Sequence, residues 1–399
     1  MPIGPRPNRV PLIIAVVAVA LFMEAVTYGL IVPVVPSYAY SLGASDLEVG
    51  IIFATYPAAQ MVSMMPIGIL SDRYGRSRFI VLGLVAMAAS TLAFAMSTEK
   101  WELVLTRGLQ GLASSCTMTA GLALVSEKAA SGSMGGSLGI VTATQGGGYV
   151  AGPVMGGLLM EWGGYALPFL VTTTVVIAVA VFAYFALRSV DEEGRGRIAP
   201  SRGLPWRKLF RDRTVLSAVL VIVAWAVGFG FLEPAYAVYL PERFAANAVM
   251  VGVFFAAVSI PYAFSQPLFG RLSDRIGRKW PMIVSSIVYA MLFSLLVVPD
   301  DFVATTGVGA LMGLSQGILF ATSLPLLISA LGRIEQGTEG MATGLYNTCF
   351  AVGIVAGLMA FGLFIGTLGL ANLSLIYSAL VAVSAIAAAF LAVEHKRSN

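Results

Sequence analysis

The feature that most constrains this chain is a succession of apolar runs, each about twenty residues long and so able to carry a helix across roughly 30 Å of hydrocarbon. Twelve such runs occur along the 399 residues, near 12–36, 48–70, 78–96, 104–126, 136–160, 165–187, 214–240, 249–270, 280–298, 303–327, 341–364 and 372–393. Lipid offers no hydrogen bonds to an exposed amide, and a helix satisfies its own. The chain therefore reads as an all-α membrane protein with twelve transmembrane helices. At 58% hydrophobic and 11% charged residues it is too apolar for a soluble domain. The first run follows Arg6 and Arg9, yet it is longer than the apolar part of a signal peptide and lacks a clear small-x-small cleavage site, so it is expected to be a span.

A formal charge of +4 could suggest nucleic acid, but no soluble basic segment exists to bind it. The basic residues instead follow the positive-inside pattern. With a cytoplasmic N-terminus, every Lys and Arg except Lys100, Arg107 and Arg243 falls in a cytoplasmic loop or tail, which puts both termini inside. The longest polar stretch, 188–213, divides the chain into a bundle at 1–188, a linker at 189–213 and a bundle at 214–399. Within it Pro205 could open a short interfacial helix with Trp206, Leu209 and Phe210 on one face, or the stretch could be a solvated charged linker. Cys116 and Cys349 lie in apolar runs without metal-ligand spacing, and the single histidine, His395, lies in the tail. Neither a metal nor a cofactor is expected.

The two halves share a motif. GILSDRYGRSR at 68–78 recurs as GRLSDRIGRKW at 270–280, each after the second span of its half. On these residues the chain resembles the major facilitator superfamily over its whole length. That resemblance implies two pseudo-symmetric six-helix bundles in the same orientation, with substrate bound between them near the midplane. It also implies a conformational latch built from Gly68, Asp72, Arg73, Gly75 and Arg76, with Asp274 and Arg275 as counterparts, although simple positive-inside anchoring would use the same charges.

Two further runs carry the resemblance. LTRGLQG at 105–111 is similar to the family motif whose arginine, here Arg107, assists proton transfer; the alternative is an arginine snorkelling to the headgroups. TQGGGYVAGPVMGG at 144–157 matches the G-x-x-x-G-P-x-x-G-G signature of antiporters in the superfamily, so Gly152 and Pro153 are expected to form a close-packed hinge.

Only two of the twenty acidic residues, Glu24 and Glu233, lie inside apolar runs. A carboxylate there costs several kcal/mol unless it faces a partner or a wet cavity, which marks it as functional. Tyr28 lies one turn from Glu24, while Trp225, Phe229 and Glu233 repeat at helical spacing. Tyr56 with Gln60, Gln145 with Tyr149, and Tyr262 with Gln266 make further helical pairs. Aromatic faces beside a carboxylate suit an organic cation. The segments LFMEAVTYGLIVPVVPSYAYS at 21–41 and GFLEPAYAVYLPE at 230–242 are similar to the first and seventh spans of vesicular monoamine transporters and related drug:proton antiporters, with Glu24 and Glu233 at their membrane acids. Tyr56 departs from that pattern, standing where the vesicular proteins carry lysine. The acids of their tenth and eleventh spans are missing, with Tyr346 and Asn347 in the eleventh here, and the first outer loop, 37–47, is short.

The expected function is a proton-coupled antiporter that exports small amphipathic, cationic organic compounds, drugs or amines, by alternating access. Glu24, Glu233 and Arg107 would couple protons. Substrate would meet Glu24, Tyr28, Tyr56, Gln60, Gln145, Tyr149, Trp225, Phe229, Glu233, Tyr262, Tyr346 and Asn347. The alternative is an exporter of a neutral sugar or metabolite; an anion carrier is disfavoured because no Lys or Arg sits in the middle of a run. Enzyme chemistry finds no nucleophile, metal cluster or phosphate loop, and a receptor would need a signalling domain that the loops cannot hold. The resemblance to prokaryotic-type relatives points to a monomer in a prokaryotic inner membrane, with protons, the substrate and lipid as its partners.

Overall fold

The computed structural model describes residues 10–128, 134–188, 190, 211–334 and 339–391, excluding the side chains of 134, 135, 274 and 339–341. The possible linker helix after Pro205 and the tail with His395 lie outside the described residues, as does the side chain of Asp274. Among the described residues every regular element is a helix: α1 (Val10–Gly29), α2 (Val35–Ser41), α3 (Asp46–Tyr74), α4 (Arg76–Ala95), α5 (Lys100–Lys128), α6 (Met134–Gly163), α7 (Ala166–Leu187), α8 (Arg213–Phe244), α9 (Ala248–Ile276), α10 (Lys279–Leu295), α11 (Phe302–Ile334) and α12 (Glu339–Leu391).

Local chemistry explains the boundaries. Pro33 cannot donate to the carbonyl of Gly29, so α1 stops there and the chain resumes as α2 with Pro36 near its start. The run at 12–36 is thus a helix, a turn and the beginning of a second helix. Ser45 and Glu48 form a reciprocal capping box at the start of α3, the serine amide donating to the glutamate over 2.8 Å. Asp212 caps α8 by accepting from the amides of Thr214 and Val215. Gly369, at φ 71°, breaks α12 in two, which separates the last two apolar runs.

Eight of these helices are long and apolar enough by themselves to cross a membrane. Those falling short are α2, only seven residues long; α5, which carries buried Arg107 and Gln110; α6, diluted by glycine; and α10, only 17 residues long. The two halves of α12 count once.

The structure divides into two compact units. One comprises 1–44, 51–200 and 247–253, the other 45–50, 201–246 and 254–399. In the first, α1, α4, α5 and α7 share a core that includes Val16, Leu21, Leu84, Ala120 and Val176. α6 joins α1 backbone to backbone: a Cβ on Gly148 would lie 2.5 Å from the Phe22 carbonyl oxygen and one on Gly152 2.8 Å from that of Val26, while one on Gly156 would strike that of Leu30. Each contact falls four residues after the last on both helices, the geometry of small-residue packing between membrane helices. In the second unit Gly353 and Gly357 of α12 press on the carbonyls of Val223 and Val227 of α8 in the same manner.

Candidate substrate and proton site

Glu24 lies near the end of α1 with 2% exposure, and three helices supply it with donors. The Tyr56 hydroxyl of α3 donates to Oε1 over 2.6 Å, and the Ser114 hydroxyl of α5 donates to the same oxygen over 2.8 Å. The Gln145 amide of α6 donates to Oε2 over 3.0 Å. A hydrogen bond to an ionised group contributes about 1.5–3 kcal/mol, so three of them offset much of the cost of burying this carboxylate. Around it Tyr28 packs against Tyr56 and Tyr149, with ring centroids 5.1 and 5.8 Å apart. Gln60, one turn from Tyr56, donates to Ser114 over 2.8 Å. The sequence-derived residues of this half, Glu24, Tyr28, Tyr56, Gln60, Gln145 and Tyr149, therefore form one cluster.

Arg107 joins the cluster as well. Its side chain is 1% exposed, with the guanidinium 4.5 Å from the centroid of the Tyr56 ring and 5.6 Å from that of Tyr28. This geometry is incompatible with an arginine snorkelling to the headgroups, because the cation is packed against aromatic faces, an arrangement that stabilises by up to about 2 kcal/mol when desolvated. Arg107 donates to Gln110 over 3.1 Å, and Gln110 donates to Thr91 of α4 over 3.3 Å. A permanent cation thus lies one ring away from the buried acid. Arg107 stands in the first third of α5, so the middle of that apolar run still carries no Lys or Arg.

The second unit is built differently. Trp225, Phe229, Tyr262 and Tyr346 belong to one aromatic succession completed by Phe350 and Phe320: Trp225 to Phe350 at 4.8 Å, Phe350 to Tyr346 at 6.2 Å, Tyr346 to Phe320 at 5.6 Å and Phe320 to Tyr262 at 6.2 Å. Phe229 lies 5.9 Å from Phe350. Glu233, two turns along α8 from Trp225, is 6% exposed, and Asn347 is half-buried next to Tyr346.

The repeated motif folds alike in both units. Ser71 and Ser273 each donate to a glycine carbonyl, of Gly68 and Gly270, over 2.9 Å. Gly75 and Gly277 take φ of 109° and 94°, values a side chain resists. Arg76 then reaches the carbonyl of Ala123 and Arg278 that of Pro325, forty-seven residues on in both cases. Asp72 pairs with Arg76 at 2.8 Å and Glu127 with Arg76 at 3.0 Å, while Ser329, at the position corresponding to Glu127, accepts from Arg278 over 2.6 Å. Arg73 lies over the ring of Tyr74, and Arg275 is exposed. Pro153 packs on Gly29 of α1 beside Gly152.

Sequence reasoning missed Ser114, Gln110, Phe350, Phe320 and Glu127. A signal existed for some. Arg107, Gln110 and Ser114 fall at i, i+3 and i+7, a polar stripe down one face of a membrane helix, and Phe350 follows Tyr346 by one turn. No group of three or more His, Cys, Asp or Glu placed to hold a metal occurs among the described residues.

Residues 17–241 and 226–399 match the Major Facilitator Superfamily. The chain belongs to that superfamily. This transporter is similar to the MFS-type transporter SLC18B1 of Mus musculus, 26% identical over 350 residues that cover 83% of this chain and 75% of that protein. It is 27% identical to the synaptic vesicular amine transporter of Mus musculus over 344 residues, 85% of this chain. The match covers 65% of that protein, so the transporter spans less than two thirds of it. An uncharacterised MFS-type transporter of Methanocaldococcus jannaschii is 26% identical over 375 residues, 92% of this chain and 96% of that one. The fold of this chain is similar to the crystal structure of a bacterial homologue of the human lysosomal transporter Spinster in an inward-facing, unoccupied conformation, with a TM-score of 0.78 at 16% identity over 97% of this chain and 95% of that one.

Proposed function

We propose that this transporter is a proton-coupled antiporter that exports small amphipathic organic cations by alternating access between two six-helix bundles. The observation that carries the proposal is Glu24, a buried carboxylate with donors on both oxygens and aromatic faces beside it. Oε1 accepts from two groups and Oε2 from one, which leaves an open lone pair on Oε2. A proton bound there removes the negative charge that holds an organic cation against the rings of Tyr28 and Tyr149. Proton and cation then compete for one group, and a carrier that turns over with either one bound exchanges them. Arg107 is engaged with two ring faces and with Gln110, which favours assistance to proton transfer over binding of an anion.

Glu233 is proposed as a second coupling acid and the succession from Trp225 to Tyr262 as the wall that takes the apolar part of the substrate. The paired motif loops, with Asp72, Arg76, Asp274 and Arg275, would latch the conformations, and the Gly152–Pro153 seam would be the hinge. The basic bias of the loops supports cytoplasmic termini, and the archaeal relative is consistent with a prokaryotic membrane. The vesicular amine transporters among the relatives supply the substrate class.

The test is uptake of ethidium, an aromatic cation of fixed charge, into proteoliposomes under an imposed pH gradient. Accumulation should require the gradient and collapse in Glu24→Gln, whereas ethidium should still equilibrate down its own gradient. Full accumulation by the Glu24→Gln variant would refute the antiport reading, and gradient-independent exchange of a neutral sugar would replace it with the metabolite exporter.

A further inference from the structure

The first turns of α3 and α9 do not stay with the rest of their helices. Residues 247–253 belong to the first unit although α9 continues in the second, and residues 45–50 belong to the second although α3 continues in the first. Gly50 and Gly252 each stand eighteen residues before a glycine of the repeated motif, Gly68 and Gly270. The two turns are therefore equivalent, and they lie at the ends of α3 and α9 away from the motif loops.

Each turn is held by an exchange of glycines and carbonyls. In the first unit a Cβ on Gly252 would strike the Pro153 carbonyl of α6, and one on Gly157 of α6 would strike that of Ala248. In the second unit a Cβ on Gly50 would lie 2.7 Å from the Leu358 carbonyl oxygen of α12, and one on Gly362 3.1 Å from that of Asp46. Both seams advance by one helical turn on each partner, and at these contacts glycine meets backbone with no side chain interlocked. Such a seam is tight when closed and parts without any side chain having to change rotamer.

A carboxylate stands one turn beyond the glycines in both seams, but on opposite partners. Glu161, one turn after Gly157, accepts from the Ala248 amide over 3.1 Å. Asn247 already caps α9 through the Met250 amide over 2.9 Å, so Glu161 takes a further amide of the first turn and sets a negative charge at its positive end. In the second seam Gly366 stands where Glu161 stands in the first, and the carboxylate is Asp46 of α3, its Oδ2 3.3 Å from a Cβ on Gly366.

We infer that the two seams are a paired closure at the ends of α3 and α9 opposite the motif loops, parting and re-forming in every transport cycle, and that Glu161 is the catch on the α6–α9 seam. A helix cannot keep its first turn in one unit while its remainder moves with the other, so alternating access has to peel Ala248 and Gly252 from α6. Glu161 is exposed, so the catch is weak and screened by salt, as suits a contact broken at every turnover. The inference needs alternating access alone and holds whatever the transporter carries or couples to.

Ala256, one turn past Gly252 on the same face of α9 and 8% exposed, reports the parting when replaced by cysteine. The experiment places the full-length transporter, with Cys116 and Cys349 replaced by alanine, in lipid nanodiscs and measures how fast Ala256→Cys reacts with a charged maleimide. Gly252→Ala, which sets a methyl group against the Pro153 carbonyl, should raise the rate about tenfold or more. Glu161→Ala should raise it about two- to fivefold. Added salt should raise the rate of the unaltered seam, and Glu161→Gln, which keeps an acceptor but no charge, should abolish that response. A rate left unchanged by Gly252→Ala or by Glu161→Ala overturns the inference, as does a salt response that survives Glu161→Gln. Ala88→Cys, 4% exposed in the core of the first unit, separates parting from unfolding. A rise of equal size there means that the substitution loosens the whole unit, and it too overturns the inference.

Discussion

In the first unit the buried acid draws donors from three other helices, with a fixed cation stacked one ring away; in the second, the corresponding helix carries its acid two turns from a tryptophan that opens a succession of six aromatic side chains. The scaffolds nonetheless repeat closely, from the serine turn and left-handed glycine of the motif loops to the arginine struts of equal reach. The motif loops are alike in the two units, while the side chains along the acid-bearing helices differ. A network of donors and charge and a wall of aromatic rings make opposite demands on the local dielectric, and the first unit holds the one and the second unit the other.

Four experiments test this contrast. The largest effect is expected at the acids. Glu24→Gln should lower gradient-driven accumulation by at least about a hundredfold, and Glu233→Gln should cost less, both read as steady-state ethidium ratios in proteoliposomes. Equal losses would mean that the donor network about Glu24 gives that acid no larger share of the coupling than Glu233. Next comes the aromatic wall, where Trp225→Ala should weaken ethidium affinity about tenfold without moving the pH midpoint of its binding; a moved midpoint would mean that the wall also bears on proton binding. The motif loops follow. Asp72→Asn, which breaks the 2.8 Å pair with Arg76, should slow turnover a few-fold and leave equilibrium binding intact, because a latch acts on interconversion and does not touch substrate. Binding lost with turnover normal would reject a latch. The smallest change is expected from Ser329→Ala, about 1 kcal/mol or less in thermal stability, since the Pro325 carbonyl still receives Arg278. In the first unit Glu127→Gln, at the end of α5, removes a charge from the Arg76 strut and should exceed it, most clearly at low salt.

Much of the fold was legible because lipid simplifies the problem: an apolar run of the right length has few options other than a helix. The exceptions follow the same physics. α5 is legible at 104–126 even though Arg107, Gln110 and Ser114 lower its apolarity, and they are tolerated there because they turn inward and satisfy one another or the acid. Both membrane acids and most of their aromatic neighbours were readable from helical spacing within a single segment. Contacts between segments were not. Nothing in the sequence says that Ser114 rather than Ser115 meets Glu24, since the choice depends on the rotation of α5 against α1; Ser115 instead pairs with Ser63. Arg107 was readable as a residue but not as a depth, because an arginine near a helix start can bend towards either water or a neighbouring ring.

The seam between α1 and α6 carries a consequence for how such a protein can vary. Gly148, Gly152 and Gly156 each face a main-chain carbonyl at a distance that excludes even one methyl group. Glycine has no smaller neighbour among the amino acids, so every substitution at these positions pushes the two helices apart, and no conservative step exists. Repair cannot come from trimming the opposite residue either, because the obstructing atom belongs to the main chain and is present whatever side chain stands there. Genetic drift at the seam therefore has no neutral path, and a second-site suppressor of a change here has to act by shifting the position of an entire helix.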